Sequence, residues 1–175
     1  MSAEPSSLVS QALEAYQQGR LEDAIRLFES AHAMEADPAR RAELANNLSV
    51  SYLKSGRTQE ALSIVRGTGD LFSKLGDNQR AAQATGNLAA ALEATGNLPA
   101  AETAYQQAAE SFRALGDQDS LGHTLNALAQ VQLRQHRPLE AANSLQAGTL
   151  ASPPRGLRGR LLKRLLQLPS RLLRF

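Results

Sequence analysis

Residues 87–117 read NLAAALEATGNLPAAETAYQQAAESFRALGD, and this stretch decides the fold. Leu88 and Leu92 lie four residues apart, as one face of an α-helix requires. Thr95-Gly96-Asn97 interrupts the pattern, and a second helical run then continues to Leu115-Gly116-Asp117. The same sentence is written again forty residues upstream and downstream. Asn47-Leu48, Asn87-Leu88 and Ala127-Leu128 correspond, as do Gly56, Gly96 and His136, and Ala61, Ala101 and Ala141. Leu75-Gly76-Asp77 matches Leu115-Gly116-Asp117. A fixed period of this length marks a repeat array whose units bury their apolar faces against their neighbours.

The punctuation predicts eight helices, at 5–18, 21–35, 38–55, 58–75, 78–95, 98–115, 118–135 and 138–149. Gln18-Gly19-Arg20, Ser55-Gly56-Arg57, Thr95-Gly96-Asn97 and Gln135-His136-Arg137 are turns in which Gly, or His once, leaves the helix with positive φ. Asp77 and Asp117 are placed to cap the helices that follow. The first unit is shorter, with Gly19 only 37 residues before Gly56. Pro138 falls near the start of the last helix, where Pro is tolerated. Gly148 stands where a small Ala is expected and predicts an early end to that helix.

Composition points the same way. The 175 residues contain 4% aromatics and no Trp, which suits close helix packing better than a sheet core. With no Cys there are no disulfides, thiolate metal sites or Cys nucleophile; a cytoplasmic location, or one peripheral to a membrane, is the expectation. The polar start, Met1-Ser-Ala-Glu-Pro-Ser-Ser, lacks a signal-peptide pattern, and no run of eighteen apolar residues occurs. His32, His123 and His136 are dispersed, without His-x₃-His spacing, and the glycines form no phosphate loop. No catalytic, metal or cofactor site can be assembled, so an enzyme is not expected.

These residues resemble the tetratricopeptide repeat (TPR). Leu88, Ala89, Gly96, Ala101, Tyr105 and Ala108 match its large, small, turn, small, aromatic and small positions; Leu48, Ser49, Tyr52, Gly56 and Ala61 match in the second unit. Ala12, Gly19, Ala24, Phe28 and Ala31 do so in the first, and Leu128, Ala129, Ala141 and Leu145 in the fourth. The period near forty resembles the longer variety of the repeat. The resemblance implies an all-α, right-handed α-solenoid of about four hairpins, in units of about 5–37, 38–77, 78–117 and 118–150. Residues 1–4 read as a disordered N-terminus and 151–156 as a Pro/Gly linker.

It also implies a concave groove, lined by the first helix of each unit, that takes a protein or peptide. By helical position the candidates are Glu43, Asn46, Asn47, Val50, Leu53 and Lys54; then Gln83, Asn87, Ala90 and Glu93; then His123, Asn126, Gln130, Leu133 and Arg134. Asn47, Asn87 and Asn126 resemble asparagines that grip a peptide backbone, since an amide donates and accepts at once. The competing reading is that they bond neighbouring helices or face water. The two-carboxylate clamp of chaperone-binding repeats needs several ordered basic residues, and only Lys54 and Arg134 are present.

Charge is unevenly distributed. All 17 acidic residues precede residue 151, whereas 7 of the 19 basic residues follow it. After Pro153-Pro154, a helical wheel gathers Leu157, Leu161, Leu162, Leu165, Leu166, Leu168, Leu172, Leu173 and Phe175 on one half. Arg160, Lys163, Arg164, Arg171 and Arg174 occupy the other, with Arg158 intruding on the apolar side. Pro169 should split this C-terminal amphipathic segment. Three readings stay open: a helix capping the fourth repeat, an attachment to an anionic membrane surface or a partner's groove, and a nucleic-acid contact. The last lacks stacking aromatics and a groove-reading motif.

Overall fold

The computed structural model of the chain describes residues 5–152. Among them are nine helices: α1 Pro5–Gln17, α2 Leu21–Met34, α3 Pro38–Lys54, α4 Thr58–Val65, α5 Thr68–Lys74, α6 Asn78–Ala94, α7 Leu98–Leu115, α8 Gln118–Arg134 and α9 Pro138–Ala151. The chain divides into two compact units, with the boundary between Ala101 and Glu102, early in α7. The readings of residues 1–4 and of the C-terminal amphipathic segment lie outside the described residues.

The turns follow from the residues that make them. Gly19, Gly56, Gly76, Gly96 and Gly116 all have φ between 73° and 84°. His136 takes the same left-handed conformation at φ 60°, the only non-glycine among the described residues to do so. A Cβ is strained there. His136→Gly is therefore expected to stabilise the chain by about 0.5–1 kcal/mol, offset in part by the greater freedom of Gly in the unfolded chain; a urea or thermal melt measures it. Asp37, Asp77 and Asp117 start α3, α6 and α8, their carboxylates accepting from the backbone N–H of Arg40, Arg80 and Ser120 at 2.8, 2.9 and 3.0 Å.

In the first unit α1 packs on α2, α2 on α3, and α3 on α4, α5 and α6. Ile25, Phe28, Leu48 and Val65 centre the core, and Phe72 anchors a second cluster with Ala42, Ala81 and Ala84. Burying one such side chain contributes about 1.5–3 kcal/mol. The small positions of the repeat are sealed: Ser49, Ala89 and Ala129 are fully buried, as are Ala61, Ala101 and Ala141. The Ser49 hydroxyl donates to the carbonyl of Ala61 at 3.1 Å, a bond from α3 to α4 that a close approach makes possible. Tyr52 of α3 donates to Glu29 of α2 at 2.5 Å under the guanidinium of Arg57. Burial, and then that bond, push its phenol up to about 12.

In the second unit α8 packs on α9. Glu102, almost buried on α7, accepts from Arg137 at 2.5 Å and from Gln132 at 3.3 Å, tying the turn before α9 to α7.

One expectation is corrected and one refined. Residues 58–75 are not one helix: α4 stops at Val65, Gly67 turns left-handed at φ 78°, and α5 begins at Thr68, whose hydroxyl donates to the Val65 carbonyl at 2.8 Å. The last helix does end early, four residues before the position that corresponds to the end of α7, but Gly148 lies inside it. The helix runs on to Ala151, with Gly148 buried against α8. A Cβ there would meet Asn126 Oδ1 at 2.8 Å and the Gly122 carbonyl at 3.1 Å, so Gly148 serves close packing rather than termination.

Candidate functional site

The face formed by α1, α3 and α6 of the first unit is indented by three cavities. The first, of about 760 Å³, lies where α1 meets α3 and is lined by Ser6, Val9, Arg40, Glu43 and Asn47, among others. The second, of about 160 Å³, is lined by Glu43, Asn46, Asn47, Phe72, Arg80, Gln83 and Asn87. A third, of about 100 Å³, has Leu13, Tyr16, Asn47 and Val50 in its wall. Asn47 lines all three.

Five sequence-predicted residues thus meet in one cavity: Glu43, Asn46, Asn47, Gln83 and Asn87. The asparagines differ in what they do. Asn87 donates its amide to Asn46 Oδ1 at 3.4 Å, and the Thr68 hydroxyl lies 3.4 Å from the same oxygen. Asn46 and Asn87 are therefore engaged between α3, α5 and α6. The half-buried side chain of Asn47 has no hydrogen-bond partner among the described residues.

The remaining candidates fall into other surroundings. Val50 lines the smallest cavity, Leu53 packs on the core, and the Lys54 ammonium sits 4.3 Å from the centre of the Tyr16 ring. Ala90 and Glu93 are half-buried on α6. His123, Gln130, Leu133 and Arg134 are exposed on α8, in the second unit. Asn126 stands forty residues after Gly86, not after Asn87, and its Oδ1 is close against Gly148 of α9.

Arg80 and Phe72 were not expected here. The Arg80 guanidinium stands 3.7 Å from Glu43 and 3.3 Å from Asp77, 5.7 Å from the centre of the Phe72 ring. Such exposed pairs contribute at most about 1 kcal/mol each, but they leave the cavity with balanced charge and a surplus of amides. The repeat itself carried the signal: Arg40 and Arg80 are forty apart, each three residues before a predicted site position, Glu43 or Gln83. Among the described residues no group of three His, Asp or Glu could hold a metal, and no helix is long and apolar enough to cross a membrane.

Tetratricopeptide-repeat family models match residues 15–71 and 80–148, and the chain belongs to that family. Among solved structures it is similar to a Rap protein complexed with competence and sporulation factor, at 15% identity and TM-score 0.74, covering 84% of this chain and 42% of that one. It is similar also to the Rap conjugation gene regulator of plasmid pLS20 in complex with the Phr* peptide, at 17% identity and TM-score 0.71, covering 97% and 47%. A STAND protein with a tetratricopeptide repeat sensor from Pyrococcus horikoshii matches at 17% identity and TM-score 0.74, covering 93% and 25%. The chain thus spans less than half the length of each. No curated protein sequence matches it.

Proposed function

We propose that this chain is a non-catalytic interaction scaffold whose α1, α3 and α6 face binds a protein segment or peptide. One observation carries the reading: Asn47, with an uncommitted amide, lines three adjoining cavities at once. A ligand main chain offers alternating N–H and C=O groups, and an amide side chain can answer both. The charge balance around Arg80 favours a neutral backbone over a lone carboxylate. The peptide complex of one similar Rap protein supports a peptide as the class of ligand.

Peptides selected by display on the wild-type protein provide the test. Asn47→Ala should weaken their binding at least about tenfold, the loss of a hydrogen bond or two from a desolvated site, while leaving the melting temperature unchanged. Asn46→Ala should instead lower stability by about 1 kcal/mol, because the Asn87 amide loses the acceptor that ties α6 to α3. Selected peptides that bind Asn47→Ala as tightly as wild type would place recognition elsewhere.

The C-terminal segment is the second part of the proposal. α9 buries Ala141 and Gly148 against α8, yet Leu139 is 82% and Leu145 42% exposed. Leu139 stands on the side of α9 turned away from Ala141 and Gly148, and Leu145 at the edge of the packed side. Exposed leucines of this kind invite a cover, and the chain continues from Ser152 through Pro153-Pro154 into a Leu-rich stretch. We take residues 157–175 as the cover for α9, with attachment to an anionic membrane as the competing use of the same leucines.

A further inference from the structure

The second helix of the second repeat is broken, and its counterparts are not. Forty residues after Arg66 and Gly67, Gln106 and Gln107 lie inside the uninterrupted α7; forty further on, Gln146 and Ala147 lie inside α9. The break sets Arg66 into the wall of a cavity of about 230 Å³, opposite residues of α2 and α3. Three basic side chains line it: His32 from α2, Arg41 from α3 and Arg66 from the α4–α5 junction. The rest of the wall is apolar or neutral, including Ala45, Ile64 and Leu71, and holds no carboxylate.

Pairing separates the arginines into two groups. Arg20, Arg26, Arg57, Arg80 and Arg137 each stand beside an Asp or Glu. Arg41 and Arg66, like Arg40 and Arg113, have no such partner among the described residues, but Arg41 and Arg66 share one cavity whereas Arg40 lines another. The charged groups facing His32 are both cationic. The carboxylate of Glu35, one turn on along its own helix, lines a different cavity and accepts from the Asp37 backbone. Burial, and then the Arg41 guanidinium, hold the imidazole below its ordinary pKa. Like charges gathered around a cavity with no counter-charge call for an anion. The arrangement does not belong to the repeat as such, for Ala81 and Leu121 occupy the positions of Arg41 in the next two units.

We propose that this cavity is an oxyanion site taking a phosphate group, free or as a phosphomonoester, held by Arg41, Arg66 and His32. Two guanidinium forks present paired N–H donors that match phosphate oxygens. Phosphate, at about −1.5 to −2 near neutrality, balances two arginines where a single carboxylate would not. The Thr68 hydroxyl is excluded from the donor set because its proton goes to Val65. No residue of this cavity lines the α1, α3 and α6 face, so the site stands or falls independently of peptide binding.

The imidazole of His32 reports on occupancy in the full-length chain, by NMR of its ring protons. Sulfate is the first probe, since it stays a dianion across the range in which His titrates. Its binding should shift the His32 signals saturably and raise the His32 pKa by about half a unit or more. The affinity should tighten as pH falls through that pKa, because the charged ring is the form the anion favours. Arg41→Gln with Arg66→Gln should weaken binding at least about tenfold. Both side chains are exposed, so an unchanged melting curve would separate lost binding from lost folding. Inorganic phosphate and phenyl phosphate, compared at one pH, distinguish the sources. Tighter phenyl phosphate binding identifies a phosphomonoester site, and equal or weaker binding a free-anion site. The proposal is overturned if His32 moves no more with sulfate than His123 and His136, or if the double variant binds as wild type does.

Discussion

Gly148→Leu should cost the second unit roughly 1–3 kcal/mol, through overpacking, although every helix-propensity scale favours the change. Leu is better than Gly in a helix interior by just under about 1 kcal/mol. Packing opposes it. A Cβ alone would stand 2.8 Å from Asn126 Oδ1, 3.1 Å from the Gly122 carbonyl and 3.2 Å from the Leu125 Cβ. The amide of Asn126 can swing aside, but a backbone carbonyl on α8 cannot, and an isobutyl group needs far more room than a methyl. Gly86→Ala is the matched control, since nothing lies within 4 Å of its would-be Cβ. There propensity acts unopposed, and stabilisation of about 0.5–1 kcal/mol is expected. Circular dichroism melts of both variants decide the matter: Gly148→Leu should lose part of its helicity first, at lower temperature, as a repeat array loses its units unevenly. A melt that coincides with wild type would show α8 and α9 to be less closely apposed than described.

What the sequence reveals depends on how locally each feature is determined. Positive φ at Gly19, Gly56, Gly76, Gly96 and Gly116, and the Asp caps of α3, α6 and α8, rest on one or two residues each, so they are legible without tertiary knowledge. The α4–α5 break was not. Gly67 looks like an isolated glycine inside a helical pattern, which helices tolerate at modest cost, and the parallel with unbroken α7 argues for continuity. What ends α4 is the Thr68 hydroxyl closing on Val65 together with a left-handed Gly67. The early end of the last helix was legible, but the role of Gly148 was not: its meaning lies in the carbonyl of Gly122, on another helix.

The candidate site divides in the same way. The resemblance to the tetratricopeptide repeat implied that Glu43, Asn47, Gln83 and Asn87 share one groove face, and forty residues return each position to the same side of the corresponding helix. It could not tell which asparagine is spoken for. That Asn46 joins α3 to α6 while Asn47 keeps its amide follows from side-chain reach across helices. Arg80 follows Arg40 by one full period, but its place beside Glu43 depends on an ion pair between α6 and α3 that the sequence alone does not register.

Converting Leu161, Leu165 and Leu168 together to Ser separates the two uses proposed for the C-terminal segment, and the expected difference is large. If these leucines cover Leu139 and Leu145 of α9, each is buried in the free protein, and each substitution removes apolar contact worth up to about 2–3 kcal/mol. The melting temperature should then fall, and limited proteolysis should cut first in the fourth repeat, whose last helix would be left with one face bare. If the leucines instead enter a membrane, the free protein should melt unchanged while binding to anionic vesicles disappears. Replacing Arg160, Lys163, Arg164 and Arg171 with Gln makes the complementary cut. Those charges contribute little to an apolar cover, but near lipid headgroups each adds about 1 kcal/mol, and the attraction weakens as salt shortens its range. A cover therefore predicts sensitivity to Leu→Ser and indifference to charge removal and salt. Attachment predicts vesicle binding that needs both leucines and charges. Wild-type protein that ignores anionic vesicles at low salt, and melts lower when the leucines are removed, would leave the cover as the sole function of the segment.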